Sequence, residues 1–124
     1  VNLFTEAELT YLHTERLLAR IATVGPDGAP HVTPVGWSLN PEDQTIEVGG
    51  IDLANTKKFR DIARTRRAAI VMDDVLPPWQ PRGIEIRGRA EAITDPAPLI
   101  RIHPARIIAW GLDGRRNARD VPGE

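Results

Sequence analysis

The hydrophobic positions of this chain fall into short runs separated by turn residues, with helical spacing in only two places. The first is near the start. Thr5-Glu6-Ala7-Glu8 is a capping box, Phe4 and Leu9 occupy the staple positions around it, and Leu9, Leu12 and His13 share one face. A helix is predicted over residues 6–14. Residues 16–24, from Arg16, follow as a buried strand carrying Leu18, Ala19, Ile21, Ala22 and Val24, closed by the turn Pro26-Asp27-Gly28. Residues 31–39 form the returning arm, with Pro34 placing that strand at an edge or a bulge. After the turn Asn40-Pro41-Glu42-Asp43 comes a third strand, 45–48, ending in Gly49-Gly50. The second helical stretch is 52–66, with Phe59, Ile62 and Ala63 as its apolar stripe and Arg60, Asp61 and Arg64 outside. A fourth strand is predicted at 68–72, a proline-rich loop at 76–81, a long alternating strand at 83–94, and a sixth strand at 100–111 interrupted near Pro104.

Helix, three strands, helix, three strands describes a mainly β chain: six antiparallel strands in a small barrel whose ends the helices plug. A doubly wound parallel sheet fits worse, because helices do not alternate with strands. The 124 residues suit one domain, here 4–112, with a polar tail at 113–124 expected to fray. Without cysteine, disulfides and zinc–thiolate sites are excluded. No apolar run approaches a membrane span, and Val1-Asn2-Leu3-Phe4-Thr5 lacks the layout of a signal peptide, so a cytoplasmic protein with no membrane partner is expected. A net charge of −1 argues against nucleic acid as the main partner.

Charge placement says more than charge balance. Of 16 basic residues only Lys57 and Lys58 are lysines, and they are adjacent. They sit in Gly49-Gly50-Ile51-Asp52-Leu53-Ala54-Asn55-Thr56-Lys57-Lys58-Phe59, where a strand ends in two glycines and a helix begins. Glycine lets a ligand approach the backbone, a helix start offers unpaired N–H groups, Thr56 adds a hydroxyl, and the lysines add charge: every part suits a phosphate. The same stretch reads equally well as a glycine-bounded loop before an ordinary helix with solvated lysines. It is neither a Walker loop nor a dinucleotide fingerprint.

The remaining candidates are weaker. His31 could donate a proton, but a lone strand histidine is more often packed or exposed. His13 and His103 read as structural, no pair has metal-ligand spacing, and Asp73-Asp74 reads as a turn. Ser38 is the only serine and no nucleophile elbow surrounds it. Trp37 suits packing, and Trp79, in the proline-rich loop, suits a lid.

Four segments in order resemble the pyridoxamine-phosphate-oxidase-like split β-barrel family, which binds FMN and related groups, and within it the short subgroup that uses the deazaflavin coenzyme F-420. They are Ala22-Thr23-Val24-Gly25-Pro26-Asp27-Gly28-Ala29-Pro30-His31-Val32, Thr56-Lys57-Lys58-Phe59-Arg60-Asp61, Pro81-Arg82-Gly83-Ile84-Glu85-Ile86-Arg87-Gly88-Arg89-Ala90-Glu91, and Ile100-Arg101-Ile102-His103-Pro104. The resemblance implies a homodimer with two cofactor sites at its interface. It implies that Lys57 and Lys58, with Asn55 and Thr56, grip the cofactor phosphate. Val32, Thr33 and Pro34 would lie along the ring system, Val48, Gly49 and Gly50 beside the ribityl chain and phosphate, and Trp79 and Trp110 would close the pocket. Departures from the parent oxidase are a missing C-terminal substrate-binding region and Gly83 where that enzyme has a flavin-contacting glutamine. Pyridoxine-phosphate oxidation is therefore not expected. The room gained suits the deazaflavin, whose anionic tail Arg60, Arg82 or Arg87 could meet. The expected function is an F-420-dependent oxidoreductase reducing a small organic acceptor by hydride transfer, with no side chain assigned as catalytic and no metal. The alternatives are an FMN-dependent oxidoreductase on the same scaffold and a non-catalytic flavin- or deazaflavin-binding protein.

Overall fold

The computed structural model describes residues 2–15 and 17–122. Val1, Arg16 at the expected start of the first strand, and residues 123–124 of the tail lie outside the described residues. Helix α1 is Glu6–Thr14. Its capping box is complete: the Glu8 N–H donates to Thr5 Oγ1 at 3.1 Å and the Thr5 N–H to Glu8 Oε1 at 2.9 Å. Such a cap contributes about 1 kcal/mol and fixes where the helix starts. The sheet follows as β1 (Ala19–Val24), β2 (Pro30–Val35), β3 (Ser38–Asn40) and β4 (Thr45–Val48). A 3-10 turn (Leu53–Asn55) then leads into α2 (Lys57–Thr65). The chain finishes with β5 (Arg67–Leu76), β6 (Gln80–Ile93), β7 (Leu99–Trp110) and β8 (Asn117–Asp120).

The strands form one antiparallel sheet of eight, in the order β2-β1-β5-β6-β7-β4-β3, with β8 also on β7. This is the expected mainly β split barrel, with eight strands in place of six. Two causes account for the difference. The expected second arm, 31–39, breaks at Gly36-Trp37, where the Trp37 indole N–H donates to the Leu17 carbonyl at 2.7 Å and the chain leaves β1 to pair with β4. The polar tail does not simply fray. Short β4 covers β7 only along Ile100–Ile102, and β8 takes the free edge at Arg106–Ala109.

Smaller corrections share one origin, pairing partners distant in sequence. The first strand buries one face only: Ala19, Ile21 and Thr23 point inward, while Leu18 and Val24 are exposed. The proline-rich stretch is mostly hairpin, since β5 and β6 stay paired out to Leu76 and Gln80, with cis Pro77-Pro78 in the turn. β7 runs unbroken through Pro104, and the irregularity predicted there is a bulge facing Arg87 and Gly88. The core fills with Ile21, Ile46, Ile70, Met72, Ile84, Ile86, Ile100, Ile102 and Ile107, all at most 1 % exposed. Glu8, itself 1 % exposed, takes both guanidinium nitrogens of Arg119 at 2.7 and 2.9 Å, so β8 clamps α1.

Gly88 has no room for a side chain, because a Cβ there would lie 1.8 Å from the His103 carbonyl oxygen. Replacing Gly88 by Ala is expected to destabilise the fold by about 3 kcal/mol, the upper range for overpacking because the obstacle is backbone. Gly36→Ala, facing open space, is the control expected to shift the urea midpoint little.

Candidate functional site: an anion cradle at the start of the second helix

The site starts from a carboxylate that the sequence pattern puts outside. Asp61 is 1 % exposed. Its Oδ2 accepts the Thr23 hydroxyl at 2.9 Å, and its Oδ1 faces Arg64 NH1 at 3.4 Å and Lys57 Nζ at 3.6 Å. Burial pushes the Asp61 pKa upward, but the Thr23 hydroxyl, Lys57 and Arg64 together outweigh it and hold the carboxyl below its ordinary value. Arg64 also donates to the Val24 carbonyl. One buried charge thus ties α2 to β1 and fixes where Lys57 can go.

Lys57 is directed at the β1–β2 turn. A Cβ placed on Gly25 would lie 3.2 Å from Lys57 Nζ, from His31 Nε2 and from Asp27 Oδ1 alike. Three charged or titratable heads therefore gather over one bare α-carbon. Asp27 is held low chiefly by the Ala29 N–H, with Lys57 and His31 adding to the effect. His31 is exposed and points into this cluster at the base of β2. Lys58 is half-buried and has no ion-pair partner among the described residues.

Thr56 is the N-cap of α2, accepting from the Phe59 N–H at 3.3 Å, while its own hydroxyl donates to the Leu53 carbonyl at 2.7 Å. Its hydrogen is spent inside the turn, so the free donors at this helix start are the backbone N–H groups of Lys57 and Lys58. Asn55 holds Asp52 through its side chain at 2.8 Å and receives Arg60 on its carbonyl at 2.7 Å. Val48 is buried, while Gly49 and Gly50 are exposed, and a Cβ at Gly49 would meet nothing within 4 Å. On β2, Val32 is 69 % exposed, Pro34 is exposed and Thr33 is half-buried. The Lys57 ammonium, the His31 imidazole and the two helix N–H groups, beside open backbone and with half-buried Lys58 next in the chain, are donors of the kind a phosphate takes, and the Asp27 carboxylate stands among them.

The two tryptophans lie elsewhere. Trp79 is 75 % exposed at the tip of the β5–β6 hairpin, and Trp110 packs over Gly83, where a Cβ would come within 2.6 Å of the indole. Ala69 pairs with Ala22, level with the cradle, and Leu76 lies seven residues further along β5. At ~3.3 Å per residue the hairpin tip is roughly 20 Å or more from Lys57 in the same chain. Of the arginines expected to meet an anionic tail, Arg60 is near the cradle. Arg82 is committed to Asp74 at 2.8 and 2.9 Å and stacks over Tyr11 at 5.0 Å. Arg87 pairs with Glu85. Sequence reasoning missed Asp61, Thr23 and Gly25; the only local signal was the four-residue spacing of Lys57 and Asp61. Among the described residues there is no His/Cys/Asp/Glu cluster able to hold a metal, and no helix is long and apolar enough to cross a membrane.

A family model described as pyridoxamine 5'-phosphate oxidase matches residues 5–122. The chain belongs to that family. Within it, the chain is 38% identical over 136 residues to a 5a,11a-dehydrotetracycline/5a,11a-dehydrooxytetracycline reductase of Streptomyces rimosus, covering 98% of this chain and 95% of that protein. The same barrel recurs in a conserved hypothetical protein of Mycobacterium tuberculosis, with TM-score 0.74 and 20% identity over 90% of this chain and 87% of that one. It recurs in an F420 reductase, with TM-score 0.64 and 19% identity over 84% of this chain and 98% of that one. At those identities the two structures speak for the shared split-barrel fold alone.

Because the folded Asp61 pKa is depressed, its contribution is fully present above the unfolded carboxylate value, ~3.9, and is lost as pH falls through the lower folded value. A melting-temperature profile from neutral to strongly acid pH is expected to show that acid loss. Asp61→Asn, lower in stability at neutral pH, is expected to show less of it.

Proposed function

We propose that this chain is a flavin-type oxidoreductase that works with the deazaflavin F-420 and reduces an activated carbon–carbon double bond in a conjugated, multi-ring ketone. The observation that carries this reading is the Lys57 ammonium, 3.6 Å from buried Asp61 and turned onto Gly25 beside His31. Lys57 keeps 44% of its side chain exposed, so the pairing gives the ammonium a direction and leaves it open to a ligand. The extended similarity to a tetracycline-type reductase supports the reaction class and the multi-ring substrate.

In this reading Lys57, Lys58 and the first N–H groups of α2 hold the cofactor phosphate, with Thr56 and Asn55 shaping the turn beneath it. Gly49 and Gly50, following buried Val48, leave open backbone for the ribityl chain. Exposed Val32 and Pro34, with half-buried Thr33 between them, provide the strand along which the ring rests. When bound, the reduced cofactor supplies the hydride equivalent. The protein's part is binding, orientation and exclusion of water. The functional unit is a homodimer: exposed Trp79, at a hairpin tip roughly 20 Å or more from Lys57 of its own chain, serves the site of the second copy, and Trp110, packed over Gly83, helps to close the pocket. The cradle recognises a phosphate and not a ring, so FMN is the competing occupant.

Titrating the purified protein with F-420, FMN and riboflavin side by side tests the reading. Exchanging Lys57 and Lys58 for alanine is expected to weaken both phosphate-bearing ligands at least about tenfold, since charge-assisted bonds contribute ~1.5–3 kcal/mol each before solvent screening. Riboflavin, without a phosphate, is expected to be indifferent to the exchange. Tighter binding of FMN than of F-420 would transfer the assignment to FMN. Equal affinities in wild type and double variant would remove it.

A further inference from the structure

A second concavity lies at the other end of β2. A cleft of ≈ 430 Å³ opens between the last turn of α1, residues 17–18, and the break where β2 gives way to β3. That volume is within the range of sites for drug-sized molecules. Leu12, Leu17 and Leu39 line it with apolar surface, His13 and Ser38 add polar groups, and Glu15, whose carboxylate pairs with Arg82 at 3.3 Å, also borders it. Its fixed wall is Trp37, whose indole N–H is tied to the Leu17 carbonyl at 2.7 Å. A tryptophan anchored by its nitrogen presents a ring of defined orientation and loses little freedom when another flat molecule stacks on it. Gly36 also borders the cleft, and a Cβ there would meet nothing within 4 Å.

The cleft and the anion cradle share a strand. His31 stands at the cradle and Gly36 at the cleft, five residues apart along β2, or about 17 Å. β2 ends the sheet order, with Val32 and Pro34 exposed between the two sites. That interval is comparable to the reach of a ring–ribityl–phosphate molecule. In such a molecule the hydride-bearing edge of the ring lies opposite the ribityl attachment, hence away from the phosphate. We propose that the Trp37 cleft is the acceptor site, taking a flat, conjugated, oxygen-bearing multi-ring molecule with one face on the indole and its oxygens toward His13 and Ser38. This rests on the cofactor reading above and adds to it the location and the lining of the acceptor pocket.

The test uses the full chain and tetracycline as a redox-inert probe of that scaffold, with binding measured by calorimetry in the presence of saturating F-420. Ser38→Phe fills the cleft from an exposed position. It is expected to weaken tetracycline about tenfold or more and to leave F-420 affinity as in wild type. Trp37→Phe, which keeps a ring but loses the anchoring N–H, is expected to weaken tetracycline by a smaller factor, and a melting curve separates this from unfolding. Tetracycline affinity unchanged in Ser38→Phe overturns the placement, and no saturable binding to wild type overturns the ligand class. Loss of F-420 affinity in Ser38→Phe would mean that the cofactor occupies the cleft, which also overturns the proposal. Absence of F-420 and FMN binding in wild type would instead overturn the cofactor reading.

Discussion

The arrangement of α2 against the barrel depends on one buried negative charge. Asp61 sits almost without solvent among Thr23, Lys57 and Arg64, which together offset what its desolvation costs. Arg64 reaches back to β1 and Lys57 reaches across to Gly25, so the carboxylate sets both the docking of α2 and the aim of the lysine.

Legibility in the sequence follows distance along the chain. The capping box at Thr5–Glu8 is complete within four residues and was readable with its boundaries. The alternation of Ile84, Ile86 and Ala90 announced β6. By contrast, Asp61 is buried because its partner Thr23, 38 residues earlier, stands on β1. The four residues Asn117–Asp120 carry no apolar pattern and become a strand because β7 has an open edge waiting for them. The adjacent lysines were legible as a pair, but the bare α-carbon that receives one of them was not, since Gly25 reads as ordinary turn chemistry.

The two ends of the sheet have different characters. The end near α2 gathers charge over backbone: Lys57, His31, Asp27 and the open glycines after β4. The end near α1 gathers rings against a satisfied polar network, with Tyr11 donating to Asp74 at 2.6 Å and Arg82 bridging Asp74 and Glu15. Burial and the bond to Asp74 raise the Tyr11 pKa, so its phenol stays neutral and structural. β2 runs from one character to the other.

That same strand carries proline at positions 30 and 34 while forming the border of the sheet. Proline has no amide hydrogen to offer. An extended segment from another polypeptide, seeking to zip onto this margin, would find the ladder interrupted at both places. The margin can therefore stay bare enough for a small molecule to lie on it without inviting the strand-to-strand association that unprotected sheet borders promote.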